Sequence, residues 1–328
     1  MLKYVAKRLW ETIPTTIGIL LLTFVLFNVV GGSPAQVVLG KNATAEAVAA
    51  FNHKWGYDKP LIIGIRDQGA GIRGWWDSQF FNFVGGLCKG DFGYSIENQE
   101  PVVEVLKRGV GPSLSLTVPI LIGGVIVALM LALLAAAMRG GWVDKAVLVF
   151  SAVLMSVNYV IWVLAGQFFL SYKAGLFPVW GYESALYLVL PVLIGILSSL
   201  GTDVRFFRTA ILDEVYKPYV LTARAKGLSG VAVMVRHVLR NALIPIVTYV
   251  SLSIPWLFSG SILLESFFGI PGLGFVSVSA IHSSDMAVVR TLVVLGALLY
   301  QLVNLATDLL YAALDPRVRL NPDSGRGV

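Results

Sequence analysis

Five stretches of the chain run for membrane length with almost no charge, at about residues 13–30, 114–138, 147–170, 242–264 and 291–314, and a shorter one lies at about 186–202. About 20 apolar residues cross a bilayer as a helix, and only helices and closed barrels satisfy their own backbone there. The expected fold is an all-α polytopic membrane protein with six transmembrane helices. Composition agrees, with 56% of residues apolar and 13% charged, against roughly 45–50% and about 25% in soluble domains. The short fourth run carries Pro191. It is expected to be kinked, flanked by protein, or extended by residues near Tyr187 and Asp203 that snorkel outward.

The first run follows Lys3, Lys7 and Arg8 and precedes Gly31, Gly32 and Ser33, as a secretory leader would. Its eighteen apolar or small residues exceed the 7–15 of a leader core, so a retained anchor is expected. Orientation follows from Lys and Arg in short loops. Three precede the first span, two lie in 139–145, seven in 203–240 and three in the tail, fifteen in all, whereas the opposite side has Lys173 and Arg290. Both termini are therefore expected in the cytoplasm. The organisation that follows is 1–30 as N-terminus and first span, 31–113 as an extracytoplasmic segment, 114–314 as the core with spans two to six and the cytoplasmic loop 203–240, and 315–328 as a cytoplasmic tail.

The formal net charge of +6 is accounted for by these loops and does not imply nucleic acid as a partner. Cys88 is the one cysteine, and His53, His237 and His282 are scattered, so neither a disulfide nor a metal site is expected. No Gly-x4-Gly-Lys-Ser/Thr phosphate loop occurs. Nucleotide energy, if used, must come from another chain, and the chain itself is not expected to be an enzyme.

The most informative stretch is Asp213 to Gly227, continuing to Pro245. Pro218 suits the first turn of a short helix and Gly227 its stop, while Arg224 and Lys226 fall in the last turn where cations favour the dipole. Thr222, Ala223, Ala225 and Gly227 are small enough to let a partner surface approach the backbone. A second helix is expected from Ser229 as N-cap through Arg236, His237 and Arg240 toward Pro245 and the fifth span. From these residues alone, a docking element and a basic loop that only fixes topology are equally open.

Tyr219-Val-Leu-Thr-Ala-Arg-Ala-Lys-Gly227 with His237-Val-Leu-Arg-Asn-Ala-Leu-Ile-Pro245 resembles the signature loop of ABC-importer permeases, most closely in the dipeptide/oligopeptide branch. Of the general family pattern only Ala223, Gly227 and Leu239 fit, but the branch-specific T-A-R-A-K-G (222–227) and N-A-L-I-P (241–245) are complete, and Arg240 stands where many relatives have proline. Further elements are similar to the same branch: Lys7-Arg8-Leu9 with Ile13-Pro14-Thr15, Gly90-Asp-Phe-Gly-Tyr-Ser95, Glu265-Ser-Phe-Phe-Gly-Ile-Pro-Gly-Leu-Gly274, Val303 to Tyr311, and Asp315-Pro-Arg317. The segment from Ile65 to Gln79, with Trp75 and Trp76, matches nothing in that pattern.

The resemblance implies a type I importer permease fold and a peptide cargo. It implies four kinds of partner: a second homologous permease, two ATPase subunits that bind ATP and Mg, an extracytoplasmic solute-binding protein, and the lipid of a bacterial-type inner membrane. Tyr219, Thr222, Ala223, Arg224, Ala225, Lys226 and Gly227 would couple to the ATPases, with Ala223 against their surface. His237, Arg240, Asn241 and Pro245 would link this helix to the fifth span, and Glu265, Pro271, Gly272 and Gly274 would form an outer turn. A self-contained carrier or channel is the alternative, as is an importer for nickel or a modified peptide.

Within the spans, Gln301, Asn304 and Asp308 are spaced i, i+3 and i+7 and share one face of the sixth helix, serving either a pathway or interhelical bonds. Asn158 and Gln167 in the third are weaker candidates for the same duties. Other buried charges look nearly absent, which disfavours an ion-coupled carrier.

Overall fold

The computed structural model of the chain describes residues 2–30, 35, 39–40, 43–55, 57–62, 77–95, 97–254, 257 and 261–314. Its elements are α1 (Leu2–Val25, continued by a π-helical turn, Leu26–Val30), α2 (Ala45–Trp55), α3 (Gln79–Lys89), α4 (Val102–Ala137), α5 (Trp142–Ser156), α6 (Tyr159–Gly166, continued by a π-helical stretch, Gln167–Lys173), α7 (Leu186–Val215), α8 (Pro218–Ala225), α9 (Gly230–Ser251), α10 (Ile262–Phe268), α11 (Leu273–His282) and α12 (Met286–Leu314). Among the described residues the fold is nearly all helical. Five helices are long and apolar enough to cross a membrane, and two further pairs, α5–α6 and α10–α11, pass the same test as bent units.

Three of the sequence runs take a form other than their apolar bounds suggest: two are interrupted and one is longer. The 147–170 run is broken, with α5 and α6 meeting at 90°. At the break Asn158 leaves helical geometry and its Oδ1 accepts from Val160 N at 2.9 Å, capping α6. The 242–264 run stops at Ser251 and a new helix begins at Ile262. The short fourth run becomes a 30-residue helix containing Pro191, because its buried stripe continues through Val204, Phe207 and Ile211 past the point where charges begin. Part of the expected 203–240 loop is therefore helix α7.

The chain divides into two compact units, Met1–Gly109 with Val276–Val328, and Val110–Phe275. In the first, α1 lies along α12. Gln301 fastens them: its Nε2 donates to Thr12 O at 2.8 Å and to Thr15 Oγ1, and its Oε1 accepts from Thr16 Oγ1 at 3.2 Å. Phe24 packs edge-on against Phe80 of α3 at 5.4 Å, and the Arg290 guanidinium sits 4.9 Å over the Phe83 ring.

In the second unit α4 is organised by side-chain size. Ala128, Ala132, Ala135 and Ala136 are buried, whereas Ile122, Ile126, Met130 and Leu134 are 46–65% exposed on the other side. Small residues toward neighbouring helices and large apolar ones outward suit lipid rather than water. Two apolar clusters result. One joins α4, α5, α7, α8 and α9 through the alanines, Val147, Phe207, Val220, Ala223, Val238 and Ile246. The other gathers Leu116, Val163, Leu190, Ile194, Leu264, Phe268 and Ile270.

Candidate functional site

Lys217 is extended, as a residue before proline must be, and Pro218 opens α8 at its first position. The helix ends at Ala225, and Gly227 then takes φ +79°, with its N–H bonded to Arg224 O at 2.9 Å. A Cβ at Gly227 would meet nothing within 4 Å, so glycine is needed there for backbone freedom alone. Ser229 caps the next helix through Ala232 N, and α9 runs without a break through a π-helical stretch, Met234–Leu239, to Ser251. Arg240 stays in helical geometry.

The faces of α8 are distinct. Val220 and Ala223 are buried in the chain's own core, while Leu221 is 64% exposed and Thr222, Arg224, Ala225, Lys226 and Gly227 are exposed beside it. This corrects the expectation that Ala223 faces a partner. Its methyl belongs to the apolar cluster that α8 shares with α4, α5, α7 and α9, and the exposed face of the helix carries Leu221 instead. Tyr219 Oη donates to Glu214 Oε2 at 2.5 Å, with Asn241 as a further partner, and burial pushes its phenol up. Tyr219 therefore ties the end of α7 and the start of Arg240–Ser251 to the short helix. His237 is half-buried, and Arg240, Asn241 and Pro245 are exposed.

A clamp that local spacing does not reveal holds the same end of the unit. Arg208 of α7 donates from Nε and Nη2 to the two carboxylate oxygens of Asp144 at 2.7 and 2.8 Å, and Asp144 also accepts from Gly140 N at 3.0 Å. The Arg139 guanidinium lies 4.7 Å over the Tyr216 ring. The partners are 64 residues apart in the first pair; sequence shows the charges but not their pairing.

At Glu265 the expected outer turn proves to be built around a fully buried carboxylate. Its Oε1 accepts from Ser113 Oγ at 2.9 Å and Ser261 N at 3.0 Å, and its Oε2 from Gly274 N at 2.7 Å and Phe275 N at 3.1 Å. A Cβ on Gly272 would come 2.4 Å from Glu265 Oε2, and one on Gly274 2.8 Å from Ile262 N. Glu265, Gly272 and Gly274 thus form an internal joint between α10 and α11, and Pro271 alone of the four named residues is exposed. With its oxygens answered by four donors, Glu265 has structural work and no free face for a solute.

Gln301 is an interhelical residue by its bonds to α1. Asn304 is half-buried in a groove of about 510 Å³ between α1 and α12. The Asp308 side chain lies outside the described residues, as do Trp75 and Trp76. Asn158 is a cap, and Gln167 Nε2 donates to Val179 O and Phe267 O, both at 2.9 Å. The charge that sequence reading treated as an outward-snorkelling end is Asp203, half-buried, whose Oδ1 accepts from Tyr249 Oη at 2.9 Å in a pocket lined by α4, α6, α7, α9 and α10. Its place ten or more residues before the end of α7 was hidden because the apolar run ends there. Among the described residues no group of three or more His, Cys, Asp or Glu side chains is placed to hold a metal ion.

Comparison with known proteins covers nearly the whole chain. Residues 113–320 match the family described as "Binding-protein-dependent transport system inner membrane component", and residues 1–117 match its N-terminal companion, "Binding-prot-dependent transport system membrane comp, N-term". The glutathione transport system permease protein GsiC of Salmonella choleraesuis (strain SC-B67) is 33% identical over 320 residues, 97% of this chain and 99% of the relative. GsiC of Escherichia coli (strain K12) is 32% identical over 320 residues with the same coverage. The probable peptide ABC transporter permease protein y4tP of Sinorhizobium fredii (strain NBRC 101917 / NGR234) is 32% identical over 324 residues, 96% of this chain and 99% of the relative.

Proposed function

The chain belongs to the family of binding-protein-dependent transport system inner membrane components and is an ABC importer permease of the peptide family, and from that premise we propose that α8 is the element through which partner ATPases drive it. The cargo is a small peptide, glutathione-like peptides included, as the names of the relatives suggest. The chain supplies half of the pathway, beside a second homologous permease. Two ATPases supply the ATP and Mg sites, and an extracytoplasmic binding protein delivers the cargo. The setting is a bacterial-type inner membrane, with both termini cytoplasmic and 31–113 outside.

The observation that carries this reading is the two-faced construction of α8. A helix of eight residues is too short to hold itself together, yet Val220 and Ala223 bury it in the same core as α4, α5, α7 and α9. Pressure on the exposed Leu221 face is then passed to α9, on which α8 packs, and through the shared core to the other helices of that cluster, because a packed core shifts as a unit instead of deforming. Closure of the ATPase pair would push α8, and the attached spans would switch the pathway between inward- and outward-facing forms. The test is cross-linking from Leu221→Cys in a Cys88→Ser background. An ATPase subunit should be captured with a short bifunctional reagent in membranes, and a cysteine at exposed Leu302 of α12 should capture none. Capture from Leu302 and not from Leu221 would refute the assignment.

A further inference from the structure

The second unit carries an open pocket of about 470 Å³ whose polar lining converges on one carboxylate. Leu264 of one apolar cluster and Val125, packed against the other, both line it, so it lies where the two cores meet. Asp203 of α7 accepts from Tyr249 Oη at 2.9 Å. The Tyr249 ring is stacked on Phe206 at 4.4 Å and meets Phe207 edge-on at 6.1 Å, which fixes the phenol. Ser198, Ser199, Thr202 and Ser253 add hydroxyls to the wall.

The hydrogen-bond inventory is lopsided. Ser198 Oγ gives its proton to Gly195 O at 2.8 Å, the Ser199 hydroxyl is shared between Ile196 O at 3.1 Å and Asp203, and Tyr249 donates to Asp203. Three hydroxyl protons are thus spent, and what these groups still offer is acceptor oxygens beside a carboxylate. Among the described residues no Lys, Arg or His lines the cavity and none is within 4.0 Å of Asp203. A carboxylate in a spanning helix is expensive unless water or a cation answers it, and an ammonium group, with three donors and no acceptor, is the complement of such a wall.

We propose that this cavity is a cation-selecting solute site, in which Asp203 and the hydroxyl oxygens of Ser198 and Ser199 receive a primary ammonium group of the cargo, the free amino terminus of a peptide. The assignment to a peptide rests on the importer reading above; the selection of a cation does not. Its test uses the whole complex in lipid nanodiscs, carrying Ser253→Cys in a Cys88→Ser background. The new thiol is modified with aminoethyl or with sulfonatoethyl methanethiosulfonate, each rate being normalised to a free thiol in solution. The cationic reagent should be favoured at least about tenfold, and the preference should vanish with Asp203→Asn and persist with Asp203→Glu. A ratio that Asp203→Asn leaves unchanged overturns the proposal, as does a thiol that neither reagent reaches until the complex is unfolded. So does a cavity already filled by a basic side chain of a partner subunit, which would remove the preference. Uptake of dialanine into proteoliposomes should fall at least about tenfold in Asp203→Asn, the loss of one charge-assisted contact, at equal complex yield. Wild-type uptake by that variant also overturns the proposal. If the unmodified complex imports no peptide while the cationic preference still depends on Asp203, the cation site stands and the peptide cargo fails.

Discussion

Gly227 and Gly272 are both glycines for reasons of backbone and space, but the reasons differ. Gly272 is crowded by Glu265 and Ser113, whereas Gly227 has open space around it and a φ of +79°. Replacing Gly227 by Val should therefore cost only the left-handed conformation, about 1–2 kcal/mol for a side-chain-bearing residue. The cost falls on the turn after α8 and not on any span. Membrane abundance of Gly227→Val, read by immunoblot, should match wild type while cargo uptake drops; equal losses of both would point to a folding role. The need for glycine at 227 is visible in sequence as a helix stop. The role of Ala223 is not, because a small residue suits a tight core and a partner surface equally, and only burial separates the two. Asp203 escaped for a related reason: a charge at the end of an apolar run looks like the end of a span, unless the next buried residues, Val204 and Phe207, are seen to continue the stripe.

At the scale of elements, α5 and α7 are joined by the bidentate Asp144–Arg208 pair, which is nearly buried on the Asp144 side. Removing one partner leaves the other charge unanswered, at a cost of about 3–5 kcal/mol for a buried pair. Arg208→Leu or Asp144→Leu alone should lower the thermal midpoint of the purified complex clearly, and the double variant should recover most of the loss. Additive losses in the double variant would mean that the two side chains do not act as a pair. The helices themselves follow from apolar periodicity and from caps such as Asn158 and Ser229. The 90° break between α5 and α6 does not, since an uninterrupted apolar run gives no period at which a bend must fall. Asn158 is the local signal, a good N-cap in the middle of a hydrophobic stretch.

For the whole molecule, membrane class and family were readable from run lengths and five ordered motifs, because both depend on composition and local spacing. The long-range pairings were not, as they join residues far apart in sequence. Orientation remains a proposal with a direct check: Cys88 is exposed on α3, and if 31–113 lies outside it should react with a membrane-impermeant maleimide in intact spheroplasts. Reaction only after the inner membrane is broken would reverse the orientation. The central claim is that force enters through the exposed face of α8. Leu221→Glu places a charge on that face at a position 64% exposed, where a surface change shifts the chain's own stability by no more than about 0.5 kcal/mol. The decisive measurement is ATP hydrolysis by the reconstituted complex with and without loaded binding protein. Leu221→Glu should leave the chain at normal levels in the membrane and abolish the stimulation; stimulation at the wild-type level would contradict the account.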